Sequence, residues 1–109
     1  MSSTAHPLPF GGDLTLRAIR ELQLRLREIV TGARSVTLDT ATVENIDIAG
    51  LQLLVSASHF ASASGGAFAV TAPADGPVAR ILHDAGFLGT DGTALVPSIS
   101  SWSITSGAA

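Results

Sequence analysis

Apolar residues recur at helical spacing along the first third of the chain, with Leu14, Ala18, Leu22, Leu26 and Ile29 on one stripe and charged residues between them. This spacing predicts a helix over about 14–30. Asp13 stands directly before the stripe as an N-cap, and Thr31 and Gly32 end it. The polar side of that helix carries Arg17, Arg20, Glu21, Arg25, Arg27 and Glu28, including a Glu21/Arg25 pair at i,i+4. It reads as a solvated face, with an acidic partner as the less common use of such a surface. Ahead of it, the Pro- and Gly-containing start leaves room for a short strand around Leu8 to Phe10 at most.

The period then changes. In RSVTLD, residues 34–39, Val36 and Leu38 alternate with polar positions, and AFAVTA at 67–72 is a second strand closed by Pro73. Between them, Ile46 to Ala63 reads as a buried helix with Leu51, Leu54, Val55, Ser58 and Ala61 or Ser62 on one face, stopped by Gly65 and Gly66. A further helix starts at Pro77 in PVARILHDAGF, with Val78, Ile81, Leu82 and Ala85 as its stripe and Gly86 as its stop. The order β-α-β-α-β-α predicts the α/β class: one domain over 1–109, built on a small mixed β-sheet of about four strands covered by helices. Residues 1–7 and 98–109 read as loosely ordered ends. The serine-rich tail, with Leu95, Val96, Ile99, Trp102 and Ile104, fits a strand, an edge, a docked turn or a self-association patch.

Composition narrows the chemistry. The 109 residues are 46% hydrophobic and only 14% charged, so disorder is excluded. Nine acidic against six basic residues give a net charge of -3, the wrong sign for a face that neutralises phosphates, so nucleic acid is not an expected partner. All six basic residues are arginine, which removes lysine chemistry, and the absence of cysteine removes thiol catalysis, disulfides and thiolate metal sites. A mean hydropathy of +0.42 raises the membrane question, but Asp47 and Gln52 interrupt the most apolar stretch and no run approaches a spanning length. No secretory signal pattern opens the chain, and the cytoplasm is the expected compartment. His6, His59 and His83 have no mutual spacing that suits a metal, and no serine sits in a nucleophile elbow. No catalytic residue, metal or cofactor is expected.

The informative segment is DTATVENIDIAGLQLLVSA, where a strand ending near Asp39 leads to a turn that sets Asp47 ahead of Gly50 and a helix start. Exposed N–H groups there suit an anion, and Asp47 suits the cap of the helix, the ordinary role of an aspartate at such a turn. The glycine lets the backbone pass close to a neighbouring surface.

The chain resembles the STAS domain family, the anti-sigma factor antagonist fold. The resemblance rests on SVTLDTATVENIDIAGLQLL, then ASGGAFAVTAP, then PVARILHDAGFLG, and covers roughly residues 8–90. It implies a binding module in bacterial signalling rather than an enzyme, with an anti-sigma factor, a kinase-like protein or another signalling protein as partner. The partner-binding surface it implies is Asp47, Ile48, Ala49, Gly50, Leu51 and Gln52. Two departures stand out. The family's phosphoacceptor position is Ile48 here, which has no hydroxyl, so partner switching by phosphate at that position is chemically closed. The amino end is also short for the family's opening hairpin strand. Thr40, Thr42, Ser56 and Ser58 are the hydroxyls close enough to the loop to act as substitutes. Ile48 either turns inward and packs or stands exposed as a permanent apolar contact. Two further functions are open at this stage: an accessory subunit of a lipid or other ABC-type transporter, and a nucleotide- or anion-binding regulatory domain. A homodimer is open as well.

Overall fold

The computed structural model describes residues 8–32, 35–89, 94, 99 and 102–105. Its elements run β1 (Leu8–Pro9), β2 (Gly12–Leu14), a 3-10 turn (Leu16–Ala18), α1 (Ile19–Gly32), β3 (Ser35–Asp39), β4 (Val43–Ile46), α2 (Ile48–Ala63), β5 (Ala67–Pro73), α3 (Pro77–Asp84) and β6 (Ser103–Thr105). Four strands form one sheet in the order β1-β3-β5-β6, and β2 pairs with β4 in a separate ribbon.

Every one of these pairings is parallel, where a mixed sheet was expected. The physical reason lies in the connections. A parallel neighbour must be reached by a crossover, and α1, α2 and α3 supply one between successive strands of the main sheet. Antiparallel pairing among the described residues is confined to an isolated bridge between Leu88 and Ala94.

Alternation along the strands sends Val36 and Leu38 of β3, and Phe68, Val70 and Ala72 of β5, into the core, while their neighbours stay part-exposed or exposed. One sheet face therefore carries the core, and the helices close it. From α1 come Leu22, Leu26 and Val30 at i,i+4 steps; from α2, Leu51, Leu54, Ala57 and Ala61; from α3, Val78, Ala79 and Leu82. Phe10, just past β1, is buried, and the Arg25 guanidinium of α1 lies over its ring at 4.4 Å from the centroid.

Three expectations need correcting. The first helix begins at Ile19, not near residue 14, because Leu14 belongs to β2: it pairs with Ile46, and its carbonyl oxygen accepts the Asp47 N–H at 3.3 Å. Asp13 is therefore no helix cap, and its carboxylate accepts the Thr15 hydroxyl at 3.0 Å. Second, the stretch after Asp39 contains a strand, β4, rather than a loop alone. Third, the described part of the C-terminal region is docked. Ile99 and Trp102 are buried, and Ser103–Thr105 pairs with Thr71–Pro73 of β5, where a loosely ordered end was expected. Burying the Trp102 ring removes a large apolar surface from water and fixes the edge strand beside it. The expectation for residues 1–7, and that for 106–109, lie outside the described residues. The two opening strands do not form a hairpin with each other; β1 lies against β3 and β2 against β4.

Candidate docking site

The β4–α2 junction is built around one carboxylate. Asp47 is extended at φ -122° and ψ -175° and caps α2, its Oδ1 accepting the Gly50 N–H at 3.0 Å. Its Oδ2 accepts the Leu16 N–H at 2.9 Å, across 31 residues of chain. The Asp47 N–H in turn donates to the Leu14 carbonyl, and the Asp47 carbonyl oxygen accepts the Leu51 N–H at 2.9 Å. The turn after β2 and the start of α2 are thus held together by one side chain. These donors stabilise the ionised form, so the carboxyl pKa lies below the ordinary aspartate value, with the Leu16 N–H as the largest cause and the Gly50 N–H next.

Gly50 explains why the two elements sit so close. A Cβ at this position would collide with the Leu14 carbonyl oxygen, so only a residue without a side chain lets α2 pack against β2. Gly50 and Leu51 are both buried. They shape the site from beneath its surface. Asp47 and Ala49 are half-buried, whereas Ile48 is 50% exposed and Gln52 is exposed. The six residues expected to bind a partner therefore divide: Asp47, Gly50 and Leu51 build the turn, Ile48 and Gln52 present its surface, and Ala49 lies half-buried between the two groups.

Leu16 was not among those six. It is 66% exposed, and its backbone is bonded to Asp47, which sets a second apolar side chain next to the start of α2. The signal for it was present in the sequence, because Leu16 falls off the Leu14, Ala18 and Leu22 stripe. An apolar residue on the wrong side of a helical pattern is one with no core to join.

The substitute hydroxyls are not equivalent. Thr40 is 1% exposed and donates to the Thr71 carbonyl at 2.9 Å, so its hydroxyl is buried and already bonded. Thr42 and Ser56 are exposed and Ser58 is half-buried. His59 and His83 are exposed, and no group of three or more metal-ligating side chains occurs among the described residues. His6 lies outside them.

With strand order, helix order and the capped turn in view, the comparison with known families is decisive: the family described as "Mlab, STAS domain" matches residues 3–97. The chain belongs to the STAS domain family. Among curated proteins none matches it. In this STAS domain the residue following the capping aspartate is an exposed isoleucine. The helix N-terminus behind it carries its own anion, since the Asp47 carboxylate already faces the first-turn N–H groups of Ala49 and Gly50. A phosphate at this helix start would compete with that carboxylate for the same N–H groups. No helix among the described residues is long and apolar enough to cross a membrane.

Proposed function

We propose that this STAS domain is a protein-docking module without catalytic activity, working in a bacterial signalling pathway in the manner of an anti-sigma factor antagonist. The observation that carries the proposal is the exposed Ile48 side chain at the first position of α2, with Leu16 brought beside that turn by the Asp47 carboxylate. Apolar side chains held in water on a rigid turn gain free energy only when a partner covers them. The partner is an anti-sigma factor, a kinase-like protein or another signalling protein, and the contact is permanent rather than phosphate-switched.

A second reading is favoured by the same side chain. An apolar group that no kinase can charge suits a constitutive subunit contact, as on the ATPase of a lipid or other ABC-type transporter. The identity of the captured protein separates the two readings.

The test is affinity capture from native lysate with the wild-type chain and with Ile48→Asp. An aspartate in the first turn of a helix is electrostatically favourable, so this variant should keep its thermal midpoint. Loss of one specific signalling partner or transporter ATPase supports docking through Ile48. Equal capture by both chains overturns it, and stoichiometric phosphate on a Ser or Thr in residues 40–58 overturns the non-switching character.

A further inference from the structure

The seam between α1 and α2 holds an open groove of about 480 Å3, bounded by Arg20, Leu24 and Arg27 from α1 and by Ser56, Ala57 and Phe60 from α2. From α2 the small side chains of Ser56 and Ala57 line it together with Leu53. Leu24 is 64% exposed and Phe60 51% exposed, so two large apolar side chains edge a hollow that the core does not use. Neither belongs to the turn around Ile48.

The charge around this hollow has one sign. Arg20 and Arg27 are two helical turns apart on α1, about 10 Å along its axis, with Leu24 between them. Among the described residues no carboxylate lines the groove. Basic, apolar, basic along one wall, over an apolar floor that includes Val30, Leu53 and Ala57, is the complement of an acidic amphipathic helix. A second copy of this chain fits poorly. A two-fold contact through this face would set the arginine rows of two α1 helices against each other. With a net charge of -3 and two arginines in the groove, a nucleic-acid backbone is a poor match as well.

We propose that the α1–α2 groove seats an acidic amphipathic helix of a partner protein. One apolar side chain of that helix lies between Leu24 and Phe60 over Ala57, and two carboxylates spaced two turns apart reach Arg20 and Arg27. This is a second contact surface, separate from Ile48, through which the domain recognises its partner by charge as well as by shape.

The probe is a synthetic helical peptide of about five turns with a leucine stripe and glutamates two turns apart, together with its twin carrying lysines in place of the glutamates. Binding is read by fluorescence anisotropy at low salt and by amide chemical shifts of the wild-type chain. The glutamate peptide should shift resonances along 20–30 and 53–60. Its affinity should fall about tenfold or more for Arg20→Glu with Arg27→Glu, weaken with added salt, and stay unchanged for Ile48→Asp. Arg20→Lys with Arg27→Lys should keep most of it.

Several results would each overturn the proposal. These are equal binding of the lysine peptide, insensitivity to the charge reversal, and no binding by either peptide. Displacement of the peptide by phosphatidylglycerol vesicles through the same residues would make the groove a membrane contact instead. A wild-type dimer in sedimentation that Phe60→Asp dissociates would show the groove covered by a second copy. Because Ile48→Asp is an independent arm, failure of the groove leaves the docking turn standing, and the reverse also holds.

Discussion

The Asp47 carboxylate accepts the Leu16 N–H at 2.9 Å while its other oxygen caps α2 at Gly50, so one side chain joins two parts of the chain 31 residues apart. That bond turns an ordinary helix cap into a tertiary link. It also sets the exposed Leu16 side chain near Ile48, adding a side-chain tie to the backbone bond between Asp47 and Leu14.

Asp47→Ala should therefore cost more than a simple cap. A lost N-cap is worth about 1 kcal/mol, and the Leu16 N–H loses its acceptor too, so about 1–2 kcal/mol is expected in denaturant unfolding at neutral pH. The pH dependence follows from the lowered carboxyl pKa. A group depressed on folding contributes stability that is complete above its unfolded value, about 3.9 for aspartate, and is lost as pH falls through the lower folded value. The gap between wild type and Asp47→Ala should thus be constant near neutral pH and narrow in acid, below the ordinary aspartate range. A gap that does not close in acid would show that the ionised carboxylate is not what holds the turn.

Gly50→Ala tests the close approach of α2 to β2. Alanine is the better helix former by about 1 kcal/mol, so propensity alone predicts a gain. The structure predicts a loss, because the new methyl meets backbone, the Leu14 carbonyl oxygen, which cannot swing aside as a side chain would. Overpacking of this kind costs about 1–3 kcal/mol, and the unfolding midpoint should fall with an unchanged denaturant slope. Stabilisation by Gly50→Ala would mean that the helix sits farther from β2.

Much of this architecture can be read from residue order, and the parts that cannot share a cause. β3, β5, α2 and α3 each carry several apolar residues at a clean period, so pattern and structure agree within a few residues. The β2–β4 ribbon has three and four residues, too few to show a period, and β4 buries Val43 while Glu44 and Asn45 stay exposed. Missing β2 moved the apparent helix start back to Leu14, whose burial comes from strand pairing rather than from the helix stripe. At the site, Asp47 and Ile48 were legible from their place in the motif. For Leu16 only its place off the helical stripe was legible, because its link to Asp47 is a long-range backbone bond that no local spacing encodes.

Thr40→Val is the third expectation. Thr40 follows β3, is 1% exposed, and bonds twice to the Thr71 carbonyl of β5, through its hydroxyl at 2.9 Å and its N–H at 3.0 Å. Valine keeps the shape and the backbone bond but removes the hydroxyl, and the Thr71 oxygen retains one donor. The cost should be about 1 kcal/mol, near that of a single net hydrogen bond. Partner capture should be unchanged, since the side chain never reaches the surface. A loss of capture at full stability would place Thr40 in the docking site after all.

The tail offers a sharper case, because Trp102 is the single tryptophan of the chain and is 9% exposed. Its Nε1–H is buried and finds no hydrogen-bond acceptor among the described residues. A buried unpaired donor is a standing cost, so the ring contributes through its apolar area and in spite of its N–H. Trp102→Ala should remove that area and leave a cavity, costing about 3–5 kcal/mol and releasing β6 from its place beside β5. Trp102→Phe keeps most of the ring contact and deletes the unpaired donor, so its cost should stay near 1 kcal/mol, well below that of an ordinary large-to-small change. Both variants are measured by denaturant unfolding followed by far-ultraviolet circular dichroism. The native fluorescence of Trp102 in the wild type should be blue-shifted and move red on unfolding, as for a ring taken out of water. If Trp102→Phe costs as much as Trp102→Ala, the indole N–H holds a bond that matters, and the docking of β6 depends on a polar anchor rather than on hydrophobic burial.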